Sequence, residues 1–195
     1  ETRAETGRTA SAQSGNSAGS EPIYRSELDN GTKMDSVILT ADTVQKLIEQ
    51  GGVSDSVAVT IGDSADDPAN EYTFEAPSDA VMALSQNGLG LTLMSPAGTV
   101  EISAEEVERA AQSGTTIFFR IVQAQDEAEE AEEAFLGDSS VFSTTDTTGK
   151  VFGVPKRIET NLQDLAAAVT LPVKGLSEEQ MADEAFLKTL GVYVE

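Results

Sequence analysis

The sequence predicts an α+β fold dominated by strands, with three strand–short helix–strand repeats followed by a smaller β-rich region. Two observations lead to this prediction. Three segments of the chain align with one another, and each closes on a glycine after a helical spacing of apolar residues. A period-two alternation of apolar residues, typical of half-buried strands, follows each glycine. Because 39% of the 195 residues are hydrophobic, the chain can bury a core of this kind.

The helix of each repeat is indicated by its apolar spacing. The segments are VILTADTVQKLIEQG (37–51), FEAPSDAVMALSQNG (74–88) and VEISAEEVERAAQSG (100–114). Apolar residues lie seven and four positions before each closing glycine, which places them on one helix face. The glycine then supplies the left-handed residue that ends a short helix. The positions are Val44 and Leu47 before Gly51, Val81 and Leu84 before Gly88, and Val107 and Ala110 before Gly114.

The helix starts are marked by polar residues that favour N-cap positions. Thr40, Ser78 and Ser103 precede the three helices, and Ser103 with Glu106 has the form of a capping box. If the segments are true repeats, their three valines will be buried in equivalent positions beneath the helices.

The strands after the helices are indicated by alternating apolar residues. The third strand also carries Phe118 and Val122 on its second face, as expected for a central strand that is covered on both sides. The alternating positions are Val57, Val59 and Ile61 after the first helix, Leu89, Leu91 and Leu93 after the second, and Ile117, Phe119 and Ile121 after the third.

Changes in composition divide the chain into four regions. Residues 1–30 are rich in Ser, Gly and Glu without an apolar period, which predicts a flexible linker. The repeats predict a domain over 31–125, and the acidic run that follows predicts a linker or helix over 126–137. Residues 138–195 are predicted to form a partial β-rich domain. A flexible linker makes few contacts, so removal of its first twenty residues should leave the melting temperature unchanged.

The last region is predicted to contain three strands and a helix. The strands are expected at 151–160, 168–173 and 191–194, where apolar residues cluster in short runs. The helix is expected over 177–190, with Ser177 and Gln180 in capping-box positions.

The residue inventory excludes several classes of chemistry. The chain has no His, Cys or Trp, so disulfides, thiolate sites and Ser-His-Asp or Cys-His catalysis are impossible. Its 34 acidic and 12 basic residues give a net charge of −22, which disfavours nucleic acids and anionic membranes as partners. No run of residues approaches a membrane span. The chain is therefore expected to be acidic, without a cofactor, and neither nucleic-acid-binding nor inserted into a membrane.

The loop that follows the first repeat contains the only candidate metal ligands. Asp63, Asp66 and Asp67, followed by Asn70 and Glu71, could offer oxygen ligands to calcium. The spacing lacks the alternate-residue pattern and the glycine of an EF-hand loop, and Asp and Asn are also common in plain turns. Calcium binding and a plain turn both remain open.

Aromatic side chains are the usual platform of a glycan site, and the chain has ten of them. Phe74, Phe119 and Phe152 fall within apolar strand patterns and are predicted to lie in the core. Tyr24 and Tyr72 are the only aromatic residues left as candidates for exposed contacts.

Several segments resemble a known group of surface proteins. VEISAEEVERAAQSGTTIFFRIV (100–122), GVPKRIETN (153–161), AAVTLPV (167–173) and LGVYVE (190–195) are similar to segments of large secreted Gram-positive proteins that carry S-layer homology domains. The resemblance implies a β-rich accessory module located outside the cell, at its surface. It carries over no catalytic or binding residue.

Two functions are compatible with these observations. The first is a non-catalytic structural or interaction module of a cell-surface protein, acting as a spacer or adhesive element. Its partners would be other domains of the parent protein or cell-wall components. The second is a carbohydrate-associated accessory module of a secreted multidomain glycosidase. No motif favours an enzyme, because no carboxylate or Ser-Lys pair is singled out by its local sequence.

Overall fold

Ten strands form a mixed sheet in the computed structural model, which describes residues 2–62, 64–123, 155–162, 166–172 and 176–187. The strands are β1 (Thr2–Ser14), β2 (Ser17–Glu27), β3 (Lys33–Ile38), β4 (Ser56–Thr60), β5 (Glu71–Ala76), β6 (Gly90–Ser95), β7 (Gly98–Ile102), β8 (Ile117–Gln123), β9 (Lys156–Thr160) and β10 (Ala167–Thr170). The helices described are α1 (Ala41–Glu49), α2 (Ser78–Gln86), α3 (Ala104–Gln112), α4 (Glu178–Ala182) and α5 (Glu184–Leu187).

The sheet is organised around the β1–β2 hairpin, in the order β10-β7-β6-β4-β1-β2-β3-β5-β8-β9. On one side of the hairpin, β4 is antiparallel to β1, β6 is parallel to β4, β7 is antiparallel to β6, and β10 is antiparallel to β7. On the other side, β3 is antiparallel to β2, β5 is parallel to β3, and β8 is antiparallel to β5. We call these strands the β4 flank (β4, β6, β7, β10) and the β3 flank (β3, β5, β8, β9). The predicted strand-dominated α+β fold is confirmed.

Each of the first three helices connects the two flanks. α1 leads from β3 to β4, α2 from β5 to β6, and α3 from β7 to β8. The curled sheet and these helices share one apolar core. A cavity of only about 10 Å³ inside it is lined by Val37 and Phe74 of the β3 flank and by Val59 and Leu93 of the β4 flank. The two strands of a repeat therefore lie in different flanks and meet only through this core.

The predicted repeat is confirmed. Its three valines, Val44, Val81 and Val107, are fully buried beneath the helices. The three glycines that follow the helices all have positive φ angles, as a left-handed helix end requires. These are Gly51 (75°), Gly88 (64°) and Gly114 (63°).

Two of the three predicted N-caps are confirmed. The side chains of Thr40 and Ser103 accept hydrogen bonds from the third helical amide. Ser78 is instead the first residue of α2, and Pro77 occupies the N-cap position. The proline ring fixes the φ angle of Pro77, which is −57°, and this angle suits the extended N-cap position. At the start of α3 the carboxylate of Glu106 pairs with Arg109 at 3.0 Å, across one helical turn.

The flexible linker predicted for residues 1–30 is wrong, because most of this segment forms the central hairpin. Its turn is Gly15-Asn16, and Gly15 has a φ angle of 57° that favours glycine. The inner face of β1 carries small residues, Ala10, Ala12 and Ser14, all buried. Small side chains produce no apolar period in the sequence, yet they let α1 pack closely against the hairpin.

The predicted β-rich domain at 138–195 also differs from the structure. β10 pairs with β7 in the register Ala167↔Ile102, and β9 is the neighbour of β8, so both extend the sheet built by the repeats. The chain divides into a unit of Glu1–Val122 with Arg157–Leu171 and a unit of Gln123–Lys156 with Pro172–Glu195. Composition does not reveal which strands pair when they are far apart in the sequence. The acidic segment 126–137 and the strand expected at 191–194 lie outside the described residues.

The helix predicted over 177–190 is described as two short helices. Its capping box is confirmed, since Ser177 and Gln180 each bond the backbone amide of the other. Asp183 separates α4 from α5 because its backbone is extended, with φ −89° and ψ 99°. No helix among the described residues has the length and apolar character needed to cross a membrane.

Candidate functional site

A cluster of charged residues extends the inner face of the sheet beyond its apolar core. Asp35 lies two residues before Val37 on the same face of β3 and is 1% exposed. Its Oδ2 accepts hydrogen bonds from Arg8 Nη1 at 2.8 Å and Arg25 Nη2 at 3.1 Å. Its Oδ1 accepts a third from Arg25 Nε at 2.5 Å. One buried carboxylate thus joins β1, β2 and β3.

The loop before β5 is tied to this cluster through Asp67. Arg25 Nη1 donates to Asp67 Oδ2 at 2.6 Å, and Lys33 Nζ also donates to this carboxylate. The hydrogen bond from Lys33 and the charge of Arg25 hold the pKa of Asp67 below its usual range. The hydrogen bond to Asp35 raises the pKa of Arg25 above its ordinary value. Arg8 completes the connection by donating to the carbonyl of Gly62 at 2.6 Å.

The candidate calcium ligands of the loop interact with different partners. Asp67 is paired with the two cations just described, and Asp66 is exposed. The side-chain oxygen of Asn70 accepts the backbone amide of Lys33 at 3.0 Å. Glu71 bonds Arg120 on the outer face of the sheet. Asp63 lies outside the described residues, and within the described ranges no group of three acidic side chains converges on a possible metal position.

A second ion-pair group lies on the outer face of the β3 flank. Arg120 of β8 donates twice to Glu71 Oε2, at 2.7 and 2.9 Å, and once to Glu159 of β9 at 3.0 Å. The hydrogen bond to Glu71 raises the pKa of Arg120 above its ordinary value. The guanidinium therefore connects the three strands at this edge of the sheet.

An open pocket of about 200 Å³ lies beside this group, on the outer face of β2, β3, β5 and β8. Its floor contains Ser36 and Thr73, which are directly paired between β3 and β5. Ser36 Oγ donates to the carbonyl of Tyr24 at 3.3 Å. Thr73 Oγ1 is buried and has no hydrogen-bond partner in the described part of the chain. Thr73 itself is half-buried, so the part of its side chain that faces solvent is not the hydroxyl.

The remaining walls of the pocket are charged at two places and apolar elsewhere. Arg3 lies at one end, with its guanidinium carbon 4.6 Å from the centre of the Tyr24 ring. Glu75 lies toward the other end, beside Phe118 on the neighbouring strand. The apolar and small residues that complete the lining are Ser26, Met34, Val37, Ile38 and Phe118.

The division of the aromatic residues into buried and exposed ones agrees only in part with the sequence prediction. Phe74 and Phe119 lie in the core, as predicted, at 2% exposure. The prediction for Tyr72 is wrong, because it is 1% exposed and its hydroxyl donates to the carbonyl of Ala69 at 3.3 Å. Tyr24 is half-buried beneath Arg3. Phe152 lies outside the described residues.

Sequence reasoning missed the pocket, although its parts were visible. Phe118 was identified as the second face of a strand, and Ser36 and Thr73 are polar positions between apolar ones. Nothing in the sequence indicates that β3 and β5 lie side by side in parallel, which is what brings these two hydroxyls together.

No protein-family model, curated protein or solved structure matches this chain. The resemblance to secreted surface proteins therefore remains a prediction from the sequence. The structural features that bear on function are the ion pairs and the outer-face pocket.

Proposed function

We propose that the chain is a non-catalytic structural or interaction module of a bacterial cell-surface protein, where it acts as a spacer or adhesive element. The proposal includes an extracellular location and, as partners, other domains of the parent protein or components of the cell wall.

The observation that carries this proposal is the use of the buried carboxylates. Asp35 binds two arginines on other strands, and Glu71 binds Arg120. Glu21 Oε1 accepts hydrogen bonds from the backbone amide of Thr40 at 2.8 Å and from its hydroxyl at 2.7 Å, at the start of α1. A general base needs a free lone pair directed at its substrate. In these residues the carboxylate oxygens already accept hydrogen bonds from groups on other strands and at a helix start. This use of the carboxylates supports a structural role.

The net charge of −22 also fits a module exposed to solvent. Such a charge keeps a protein soluble and repels a second copy of the same chain. It does not by itself select a partner, so adhesion would require a less charged surface.

Two measurements on the purified chain test the proposal. It should bind to isolated Gram-positive cell walls or to neighbouring domains of its parent, and it should show no turnover of polysaccharide, peptide or ester substrates. Turnover that disappears when one carboxylate is replaced, while the circular dichroism spectrum stays unchanged, would contradict the non-catalytic assignment.

The outer-face pocket favours a second candidate, a carbohydrate-associated accessory module of a secreted glycosidase. Two serines, a threonine, an arginine, a glutamate and a phenylalanine are among the residues that line the same small volume. Affinity electrophoresis in gels that contain soluble polysaccharides separates the candidates, since an accessory module should be retarded by at least one of them. Glycosidase domains elsewhere in the parent chain would favour this candidate, and tandem anchoring repeats would favour the first.

A further inference from the structure

The two edge strands of the sheet differ in charge. An edge strand exposes unpaired backbone N–H and C=O groups, and proteins commonly protect it with charged side chains. The edge strand β9 follows this rule, since it contains Lys156, Arg157 and Glu159. The opposite edge strand, β10, has the sequence Ala-Ala-Val-Thr and carries no charge. This neutral edge stands out in a chain of which 24% of the residues are charged.

The backbone of β10 is available for a further strand. β10 pairs with β7 on one side, from Ala167↔Ile102 to Thr170↔Thr99. In an antiparallel pair, the N–H and C=O groups of every second residue point away from the partner strand. Within the described part of the chain, the residues of β10 form no hydrogen bond outside this pairing. An added strand can therefore bond to the outer side of β10.

The inner face of β10 shows which side chains such a strand would need. Val169 is paired with Val100 of β7, which is fully buried, whereas Val169 itself is 44% exposed. Ala167, two residues earlier on the same face, is partly buried against the core. The apolar side of the sheet thus continues onto β10 and is incompletely covered there. An added strand would cover it if every second residue, facing inward, were apolar.

The charge around β10 favours basic residues at the alternate positions. On the outer face, Glu101 of β7 is exposed and is paired with Ala168, whose side chain is small. A long basic side chain opposite Ala168 can extend across it toward this carboxylate. The net charge of −22 also attracts a basic segment, whereas it repels a second copy of the chain.

We infer that β10 is a docking edge for an extended partner segment with alternating apolar and basic residues, which joins the sheet as a further strand. Backbone hydrogen bonds to β10 supply affinity, and the alternation of side chains supplies specificity. The inference rests on the proposed interaction role and identifies a surface and a partner chemistry for it.

The test uses the full chain labelled with ¹⁵N and a capped peptide that alternates valine and lysine. In NMR titrations the peptide should produce saturable amide shifts centred on β10 and should slow the hydrogen exchange of its amides. A scrambled peptide, with valines and lysines in separate blocks, has the same charge and should bind much more weakly. A peptide with glutamate in place of lysine should not bind, because the chain repels it.

A substitution on β10 has a matched control elsewhere. Val169→Lys should weaken the alternating peptide about tenfold, because it removes an apolar contact and repels the lysines of the peptide. The variant should fold normally, since Val169 is exposed, and circular dichroism checks this. Val53, in the loop before β4, is 38% exposed. Val53→Lys changes the net charge equally and should leave the affinity unchanged.

N-methylation of the peptide tests backbone pairing separately from side-chain contacts. In a strand, the amides of successive residues point to opposite edges. Methylation of all valine amides or of all lysine amides therefore blocks one edge each. One of these two peptides should lose binding and the other should retain it.

Four results would overturn the inference. They are equal affinity for the alternating and scrambled peptides, equal affinity of Val169→Lys and Val53→Lys, and binding of both methylated peptides. The fourth is a dimer of the chain alone that Val169→Lys dissociates in sedimentation experiments, because β10 would then pair with a second copy. Binding of the wild-type chain to cell walls or parent domains would sustain the broader interaction role in each case. Loss of that binding, with the peptide still bound at β10, would contradict the broader role instead.

Discussion

The central hairpin and the three repeats build the same sheet by opposite means. The repeats bury large apolar side chains, such as Val81, Leu84 and Phe74, at regular spacings. The hairpin places small side chains, Ala10 and Ala12, in equally buried positions. Strand β1 pairs with both β2 and β4, so its stability comes from backbone hydrogen bonds on two sides and not from its own apolar area.

This difference shows why an absent apolar period does not establish a linker. A segment of small residues cannot form a core alone, and in isolation it would not offset the entropy lost on ordering. It becomes ordered when its neighbours supply the apolar surface and leave only a narrow space. Gly19 illustrates this, because a Cβ atom there would lie 3.2 Å from the Cγ2 atom of Thr43 in α1.

The largest expected effect follows from removing the hairpin. Deletion of residues 1–20 should abolish cooperative unfolding, because it removes β1 and the first four residues of β2 and so leaves β4 without the strand that joins it to the β3 flank. Thermal melts followed by circular dichroism provide the measurement. A synthetic peptide of residues 1–20 should restore part of the transition. An unchanged melting temperature would support the linker prediction and contradict the structure.

A smaller loss is expected from a cavity in the repeats. Val81→Ala removes two methyl groups from a fully buried position and should cost about 2–3 kcal/mol of unfolding free energy. Urea denaturation measures this, with Met82→Ala as a control in the same helix, since Met82 is 41% exposed. The control should stay within about 0.5 kcal/mol of wild type. Equal effects in the two variants would be inconsistent with the assigned helix face.

The hairpin should respond to added volume where the repeats respond to lost volume. Ala12→Val introduces two methyl groups into a fully buried site and should cost about 1–3 kcal/mol through overpacking. The neighbouring Gln13 is exposed on the other face, so Gln13→Val should change stability little. Denaturation midpoints of both variants give the comparison. A stabilising effect of Ala12→Val would mean that the space beneath β1 is larger than the structure shows.

The smallest effect concerns pH and the loop that closes on the hairpin. The lowered pKa of Asp67 means that its contribution is present above its ordinary pKa of 3.8 and is lost as the pH falls through the folded-state value. Because this carboxylate is solvent-exposed, the effect should be modest and should weaken with salt. Melting temperatures of wild type and Asp67→Asn, compared from neutral to acidic pH, test it. The difference between them should shrink on acidification, and a gap that widens would contradict the sign.

The repeats were predictable because each of their signals is local. The spacing of Val107 and Ala110 before Gly114, and the Ser103 cap, operate within one or two helical turns. The Gly15-Asn16 turn of the hairpin was local as well, and such a dipeptide between two extended runs is a recognised hairpin signal. It went unrecognised because residues 10–21, on either side of the turn, include no large apolar side chain.

The candidate site depended on long-range pairing. Asp35 meets Arg8 across 27 residues of sequence, and Ser36 lies beside Thr73 only because β3 and β5 pair in parallel. The calcium candidates were adjacent in sequence, but strand alternation sends Glu71 to the outer face and Asp67 turns toward Arg25. Proximity in sequence was therefore a poor guide to proximity between their carboxylates.

The sequence by itself determined the class of elements, the three helices with the glycines that end them, and the exclusion of histidine and cysteine chemistry. These follow from residue type and from interactions within a few residues. The tertiary structure decided which strands are neighbours, that the small-residue hairpin is central, and that strands from the last region complete both edges. The physical reason is that strand pairing uses backbone groups common to every residue, so its partners are selected by the packing of the whole core.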